Sequence, residues 1–392
     1  MNQPLWTPSP RRASESHLAA FAAHVSNKYS IKTNTYKDIH TWSCTHREQF
    51  WQEIWNYCGV IGDNPGHETL IDRERMPGAR WFPRATLNFA ENLLRLRDES
   101  LALVFWGEEQ VKSSMTWKTL YAEVSRLAQA LRAAGVTRGD RVAAYLPNLP
   151  AAVIGMLATA SIGAVWSSCS PDFGSQGVLD RFGQIKPKIL LATEGYFYTG
   201  KSIDVLPRVQ DIAAQLPSLE RVVIVPYTRS HPDISAIPLA VSLHDFVAPF
   251  NEADINFERL PFNHPLYILY SSGTTGVPKC IVHGAGGTLL QHLKEQQLHT
   301  DVKSGDRLFY YTTCGWMMWN WLVSGLASRA TLVLYDGSPF VKRGRILWDF
   351  AQEASISIFG TAAKFIDAIA KLGLAPAQTH QLHALKALLS TG

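Results

Sequence analysis

An uncharged stretch of sequence most constrains the fold. Residues 142–171 contain no Asp, Glu, Lys or Arg, and the stretch is longer than the roughly 20 residues that cross a bilayer. Pro147 and Pro150 interrupt it near its start, which argues against one continuous membrane helix. Its pattern instead predicts a strand at 141–146, a buried helix at 151–162 and a strand at 164–168. We therefore expect a buried strand–helix–strand unit and no membrane span.

Strand and helix patterns alternate along most of the chain. Further strands are predicted at 101–106, 188–193, 221–226, 266–270, 307–312, 331–335 and 356–360. Further helices are predicted at 117–134, 287–297, 316–327, 343–353 and 363–372. Such alternation is typical of parallel sheets flanked by helices, and a chain of 392 residues exceeds the size of one hydrophobic core. The predicted fold class is α/β, with two parallel-rich sheets.

Changes in composition predict four regions. Residues 1–35, which contain several prolines and arginines, are expected to be a flexible tail, and 36–98 a mostly helical region. Residues 99–260 are expected to form a first α/β subdomain that ends in a polar connector, and 261–392 a second. The sequence ends on an apolar strand that runs into Thr391 and Gly392. We therefore expect the second subdomain to be incomplete.

Charge and cysteine content exclude several classes of function. Lys and Arg number 37 against 33 Asp and Glu, and they are scattered, so no nucleic-acid surface is predicted. The five cysteines lack the paired spacing of a structural zinc site, and no metal ligands are predicted. No stretch near the N-terminus resembles a signal peptide. A cytosolic protein with reduced thiols and small-molecule partners fits these features best.

A small-residue loop carries the clearest chemical signal. It follows the predicted strand that ends at Tyr270, and its members are Ser271, Ser272, Gly273, Thr274, Thr275, Gly276, Val277, Pro278 and Lys279. Glycines let the backbone approach a ligand closely, while hydroxyl groups, backbone N–H groups and one ammonium can donate to phosphate oxygens. Hydrogen bonds to a charged acceptor contribute roughly 1.5–3 kcal/mol each, so a few would hold a triphosphate. The loop therefore predicts a polyphosphate site.

Two other kinds of loop share some of these features. The nucleotide-binding P-loop requires Gly before its Lys and Ser or Thr after it, whereas Pro278 precedes Lys279 and Cys280 follows. A flexible linker is disfavoured by the apolar segments on both sides. The nine residues from Ser271 to Lys279 instead resemble the phosphate-binding signature of the adenylate-forming superfamily.

Further segments narrow this resemblance to the acetyl-CoA synthetase group, and within it to members that activate acetoacetate. They are Trp42-Ser43-Cys44, Trp81-Phe82-Pro83, the run from Leu87 to Asn92 and the run from Cys314 to Trp319. The resemblance implies that ATP and a carboxylate form an acyl-adenylate and that the thiol of CoA then displaces AMP. ATP, CoA and Mg²⁺ are the implied substrates and ion. An adenylate-forming large domain is the implied fold, with the small C-terminal domain and its adenylation lysine absent.

The same resemblance assigns roles to particular residues. It implies that Trp316, Met317 and Met318 line the acyl pocket, although ordinary helix packing explains Met317 and Trp319 equally well. Lys201 lies where relatives contact CoA, and Tyr198 departs from them at a basic position. Thr391 and Gly392 resemble the start of a segment that meets the adenine and the acyl group.

Two alternatives to acetoacetate activation stay open. One is a ligase for another small acid, such as acetate or propionate. The other is a non-catalytic form that binds nucleotide weakly, because later motifs of the superfamily are missing. On either view, this chain alone is expected to have negligible activity.

Overall fold

The computed structural model describes residues 6–64, 66, 68–271 and 276–391. The helices in chain order are α1 (Pro10–Ser14), α2 (His17–Tyr29), α3 (Tyr36–Thr45), α4 (Arg47–Tyr57), α5 (Phe89–Leu93), α6 (Trp117–Ala133), α7 (Pro150–Ser161), α8 (Ser175–Ile185), α9 (Leu206–Gln215), α10 (Leu243–Val247), α11 (Ala285–Leu293), α12 (Met317–Val323), α13 (Ile346–Glu353), α14 (Ala363–Lys371) and α15 (Pro376–Thr379). A π-helical turn, Lys294–His299, extends α11, and 3₁₀ turns lie at Ser324–Ser328 and Val341–Gly344.

The strands in chain order are β1 (Gly62–Asp63), β2 (Leu70–Ile71), β3 (Arg80–Trp81), β4 (Thr86–Leu87), β5 (Leu101–Gly107), β6 (Val111–Thr116), β7 (Arg141–Tyr145), β8 (Val165–Cys169), β9 (Ile189–Thr193), β10 (Gly195–Tyr198), β11 (Lys201–Asp204), β12 (Arg221–Val225), β13 (Ala240–Ser242), β14 (Leu260–Pro261), β15 (Pro265–Tyr270), β16 (Cys280–Gly284), β17 (Arg307–Tyr310), β18 (Thr331–Asp336), β19 (Ile358–Ala362) and β20 (Ala387–Thr391).

Two large sheets organise the chain and confirm the predicted α/β class. In the first sheet the strand order is β13-β12-β9-β7-β8-β15-β16, and in the second it is β20-β19-β17-β18-β5-β6. Within each sheet the neighbouring strands are parallel except at one end, where β16 pairs antiparallel with β15 and β6 with β5. The carboxyl ends of the parallel strands meet at one edge of each sheet, where ligands of such folds usually bind.

The uncharged stretch forms the predicted buried unit at the centre of the first sheet. Strands β7 and β8 pair in parallel from Arg141↔Val165 to Tyr145↔Cys169, and α7 connects them. Helix α7 begins at Pro150, whose fixed φ suits the first helical position. Because the residues of α7 and β8 are almost all buried by other protein groups, the stretch needs no membrane to cover it. No helix among the described residues is long and apolar enough to cross a bilayer.

Sheet membership crosses the predicted division at residue 260. Strand β5 pairs with β18, as in Leu103↔Leu332, so it lies in the second sheet, although it was expected in the first subdomain. Strand β15 pairs in parallel with β8, so it lies in the first sheet. Pairing between distant strands decides this arrangement, and local sequence patterns do not encode it.

The segment expected to be a flexible tail contains ordered helices. Phe21 and Val25 of α2 are fully buried, and Phe21 packs edge-on against Phe50 and Tyr57. Glu53 of α4 is also fully buried and accepts hydrogen bonds from His24 at 2.6 Å, Lys28 at 2.7 Å and Tyr29 at 2.9 Å. Apolar packing and one buried carboxylate therefore fasten α2 to α4.

The run from Leu87 to Asn92, at the end of the helical region, has a structural role. Asn88 is fully buried, and its side-chain nitrogen lies within 3.1 Å of the carbonyl oxygens of Ala160, Ser161 and Glu258. Its side-chain oxygen caps α5 through the N–H of Glu91 at 3.3 Å. This asparagine joins the helical region to the end of α7.

Candidate active site at the carboxyl edges of the sheets

The predicted phosphate loop lies at the tip of the antiparallel hairpin formed by β15 and β16. The backbone N–H of Ser271 donates to the carbonyl of Lys279 at 3.0 Å, and the N–H of Lys279 donates to the Ser271 hydroxyl at 3.1 Å. These two bonds hold the ends of the loop, Ser271 and Lys279, together and form a closed neck. Gly276 has φ +100°, a conformation that favours glycine. Ser272, Gly273, Thr274 and Thr275 lie outside the described residues.

Neighbouring elements hold both sides of this neck. The Ser167 hydroxyl of β8 donates to the carbonyl of Ile268 and lies 2.9 Å from the Tyr270 hydroxyl. Burial raises the pKa of Tyr270, so this phenol stays neutral. The side-chain amide of Gln184, from α8, donates to the Pro278 carbonyl at 2.8 Å. Lys279 itself is exposed and forms no ion pair with any described residue.

The predicted acyl-pocket segment lies against the end of β8. The Ser168 hydroxyl donates to the Cys314 carbonyl at 2.7 Å. A Cβ at Gly315 would lie 3.7 Å from the Ser168 carbonyl oxygen, an ordinary contact distance, so the segment runs close to the strand. Strand β8 is hydrogen-bonded to β15, which leads into the predicted phosphate loop. The loop and the segment that begins at Cys314 therefore lie at the same edge of the first sheet.

The side chains of this segment divide between core and surface. Trp319 is fully buried, donates from its ring nitrogen to Asn148 at 2.9 Å and stacks on Trp166. Trp316 is 58% exposed and Met317 is 37% exposed, whereas Met318 packs partly against the core. Trp319 thus anchors α12, and the residues at its start are left accessible.

A small cavity of about 40 Å³ lies where the two sheets meet. Its lining is rich in acidic, amide and phenolic groups and includes Asn148, Asp172, Tyr198, Tyr311 and Asp336. Such a volume is large enough for water. Burial, together with the nearby carboxylates of Asp172 and Glu108, raises the pKa of Asp336 from 3.8 to about 7, and a 3.0 Å hydrogen bond from Tyr227 opposes the change.

The residue predicted to contact CoA and the one predicted at the edge of the adenine site lie at different places. Lys201 is exposed and begins β11, directly after the turn of the β10–β11 hairpin, opposite Tyr198. Thr391 ends β20 opposite Ala362, at the carboxyl edge of the second sheet. Tyr310, the last residue of β17, pairs with Gly360 of β19, so the chain leaves β17 towards Trp316 at that same edge. Gly392 lies outside the described residues.

Sequence reasoning missed Asp336 and Glu108. Asp336 is the last residue of β18, so it lies at the carboxyl end of a buried parallel strand, where ligands of such sheets bind. Glu108 could not be found this way, because its partners are backbone groups of segments far away in the chain.

Comparison with known proteins shows which family the chain resembles. The family model described as AMP-binding enzyme matches residues 90–392, and one described as acetyl-coenzyme A synthetase N-terminus matches residues 36–93. The chain is 53% identical to the acetoacetyl-coenzyme A synthetase of Rhizobium meliloti (strain 1021), over 100% of this chain and 60% of that protein. It is 44% identical to the acetoacetyl-CoA synthetase of Mus musculus, over 100% of this chain and 59% of that protein.

A solved structure shows the same fold. The acetoacetyl-CoA synthetase from Streptomyces lividans superposes with a TM-score of 0.94 at 41% identity, covering 100% of this chain and 60% of that one. The chain thus spans about 60% of the length of these relatives. A family model that matches most of the chain, supported by a fold shared along its whole length, places this protein in the AMP-binding enzyme family.

Proposed function

We propose that this chain carries the phosphate-binding part of an ATP-dependent acid–thiol ligase that converts acetoacetate and CoA to acetoacetyl-CoA. The observation that carries the proposal is the closed neck between Ser271 and Lys279, at the same edge of the sheet as the Cys314–Met318 segment. The relatives that share 53% and 44% identity with it are named acetoacetyl-CoA synthetases. Production of acetoacetyl-CoA would serve lipid metabolism and the use of ketone bodies, in the cytosol.

The reaction has two steps. A carboxylate oxygen of acetoacetate attacks the α-phosphorus of ATP, an acyl-adenylate forms and pyrophosphate leaves. The thiol of CoA, losing its proton, then attacks the acyl carbon and AMP leaves. Both steps move charge onto phosphate oxygens, so fixed donors and cations aimed at those oxygens lower the barriers.

The loop supplies such groups. Hydroxyls of Ser271, Ser272, Thr274 and Thr275 and the ammonium of Lys279 would donate to the β- and γ-phosphates, with Gly273 and Gly276 letting the backbone approach. Because Lys279 is exposed and has no carboxylate partner among the described residues, its charge is available to a ligand. Mg²⁺ would accompany ATP and neutralise part of its charge.

Three further positions would contact the other substrate groups. The accessible start of α12, with Trp316, Met317 and Met318, would shape the acyl pocket, where flexible thioethers adapt to a small acid. Thr391 and Gly392 would lie at the edge of the adenine and acyl sites. Lys201 would contact a phosphate of CoA.

A fusion protein tests the proposal. This chain is joined to the part of the Rhizobium meliloti relative that lies beyond the matched region, and pyrophosphate exchange into ATP is measured with acetoacetate, acetate and propionate. We expect exchange that is highest with acetoacetate and negligible exchange by this chain alone. Highest exchange with acetate or propionate would favour a ligase for another small acid, and an inactive fusion would favour a non-catalytic protein.

Variants of the fusion test the role of the loop. Removing one charged contact to phosphate costs roughly 1.5–3 kcal/mol, so Lys279→Ala should raise the KM for ATP about 10- to 160-fold. The matched control is Lys371→Ala, which removes an exposed lysine that pairs with Asp367 on the surface of α14. Equal effects of the two variants would contradict the assignment of Lys279.

A further inference from the structure

Glu108 is a buried carboxylate with an unusual set of partners. It lies in the turn after β5 and is 1% exposed. Its two oxygens accept backbone N–H groups from Thr199 at 2.7 Å, Gly200 at 2.7 Å and Ser338 at 2.8 Å. No lysine, arginine or histidine among the described residues pairs with it. Among the described residues, this carboxylate therefore binds only backbone groups, which come from two segments far apart in the chain.

The local backbone is shaped around this contact. Glu108 has φ +47°, and its own N–H donates to the Asp336 carbonyl at 3.0 Å. Gly337 has φ +126°, and a Cβ there would lie 2.2 Å from Cγ of Glu108. Space for the carboxylate thus depends on a glycine in the segment after β18. The close fit between the Glu108 side chain and Gly337 indicates that the local backbone is shaped to hold this carboxylate.

Two of the three partners of Glu108 form the turn of the β10–β11 hairpin. Thr199 has φ +53° and Gly200 has φ +75°, the conformation of a type I′ turn, which favours glycine or asparagine at both positions. A β-branched threonine is disfavoured there. Because Glu108 accepts the N–H groups of both central residues, it compensates for the threonine and ties the turn to the second sheet.

The base of the hairpin is held in the same manner. Glu194, directly before β10, is fully buried and accepts the N–H groups of Tyr227 and Arg229 at 2.9 and 2.8 Å, and also that of Thr228. The hairpin therefore has a fixed base on the first sheet and a fixed tip on the second. Tyr196 and Tyr198 of the hairpin line the same small cavity as Asp336.

Lys201 is the first residue after the tethered turn. It is exposed, and among the described residues no carboxylate lies within ion-pair distance of it. A lysine side chain is flexible, so holding its backbone is what restricts where the ammonium can reach. The bonds to Thr199 and Gly200 fix that backbone within two residues of Lys201.

We propose that Glu108 is a positioning residue for CoA binding: by holding the Thr199–Gly200 turn, it places Lys201 to contact a phosphate at the nucleotide end of CoA. The inference rests on the proposed ligase function. Glu108 does not touch the substrate, and it acts through the hairpin.

Steady-state kinetics of the fusion protein test this inference. In Glu108→Gln the side-chain NH₂ must face at least one of the three backbone N–H groups, so one tether is lost in either orientation of the amide. We expect a KM for CoA raised about tenfold, with kcat changed less than about twofold, as when one charged contact is lost. Lys201→Ala should give a similar result, and the double variant should be no worse than either single one.

Three comparisons separate positioning from general damage. Glu109→Gln alters the neighbouring acid, which is exposed and paired with Lys342, and should leave the KM for CoA unchanged. Thr199→Gly should partly restore the KM of Glu108→Gln, because glycine suits the turn without the tether. Dephospho-CoA, which lacks the 3′-phosphate, should show little loss of affinity in Glu108→Gln if that phosphate is the one contacted, and a full loss if the diphosphate is.

Hydrogen exchange gives a readout that is independent of activity. Peptides covering 195–204 should exchange faster in Glu108→Gln than in Glu109→Gln. Faster exchange with an unchanged KM for CoA would overturn the inference. Equal losses of kcat in the overall CoA-dependent reaction and in the acid-dependent pyrophosphate exchange would overturn it as well. If Glu108→Gln does not fold, Glu108→Asp, which keeps the charge but reaches less far, takes its place with the same expectations. A wild-type fusion without CoA-dependent turnover would refute the proposed function itself, before any variant is made.

Discussion

Replacing Asp336 by asparagine should stabilise the chain at neutral and alkaline pH but not in acid. The folded environment raises the pKa of Asp336 from 3.8 to about 7, so the folded state favours the neutral acid. Between these two values the folded chain keeps a proton that the unfolded chain has released, and stability falls as pH rises. Asparagine is neutral at every pH and can still accept the 3.0 Å hydrogen bond from Tyr227.

The size of the effect follows from the difference in pKa. Each pKa unit corresponds to about 1.36 kcal/mol, so a difference of about 3 units gives at most about 4 kcal/mol. The advantage of Asp336→Asn should be below about 1 kcal/mol at pH 4 and should grow to about 4 kcal/mol at pH 8, with no further change above that. The nearby carboxylates of Asp172 and Glu108 contribute to this advantage because they disfavour a charge on Asp336.

Urea unfolding followed by tryptophan fluorescence at several pH values would measure the effect. The matched control is Asp367→Asn, since Asp367 is an exposed acid paired with Lys371 on the surface of α14. Its difference from the wild-type chain should stay within about 0.5 kcal/mol across the range. A stability difference for Asp336→Asn that does not vary with pH, or a loss of stability at pH 8, would refute the reasoning.

Three other perturbations have defined outcomes. Glu53→Gln, which disrupts the buried acceptor of His24, Lys28 and Tyr29, should loosen α2 and speed trypsin cleavage after the exposed Lys32; an unchanged cleavage rate would contradict the fastening of α2 to α4. Gly360→Ala places a Cβ 2.1 Å from the Tyr310 ring and should lower the unfolding free energy by about 1–3 kcal/mol in urea titrations, whereas Gly287→Ala, at an open position, should not. Met318→Ala in the fusion protein should change the ratio of kcat/KM for acetoacetate and acetate, and an unchanged ratio would remove Met318 from the acyl pocket.

Local patterns predicted the buried elements well. The uncharged stretch was interpreted correctly because its prolines and its lack of charge leave few alternatives, and the observed bounds of β7, α7 and β8 differ from the predicted ones by a residue or two. Strand β6 was not predicted. Its central residues are exposed and polar, so it lacks the apolar pattern by which buried strands are recognised.

Contacts between distant segments could not be predicted. The β10–β11 hairpin depends on buried acids whose partners are backbone groups. Because every residue except proline has a backbone N–H, the sequence does not indicate which of them bind an acid. Helix α2 was missed because the prolines and arginines before it suggested a tail, while the burial of Phe21 depends on α4. For the loop from Ser271 to Lys279, the composition predicts phosphate binding, which stays a prediction, and the bonds between Ser271 and Lys279 add a closed neck that the composition does not specify.

The exchange of strands between the sheets also bears on how the chain can fold during synthesis. Leu103 pairs with Leu332 in the second sheet, so β5 leaves the ribosome long before its parallel neighbour β18 exists. Until then β5 can pair only with β6, and one side of that hairpin is exposed. Pairing over such a long separation in sequence slows folding and prolongs the exposure of apolar edges. A nascent chain that still lacks β18 should therefore depend on chaperones more than a chain that contains it does.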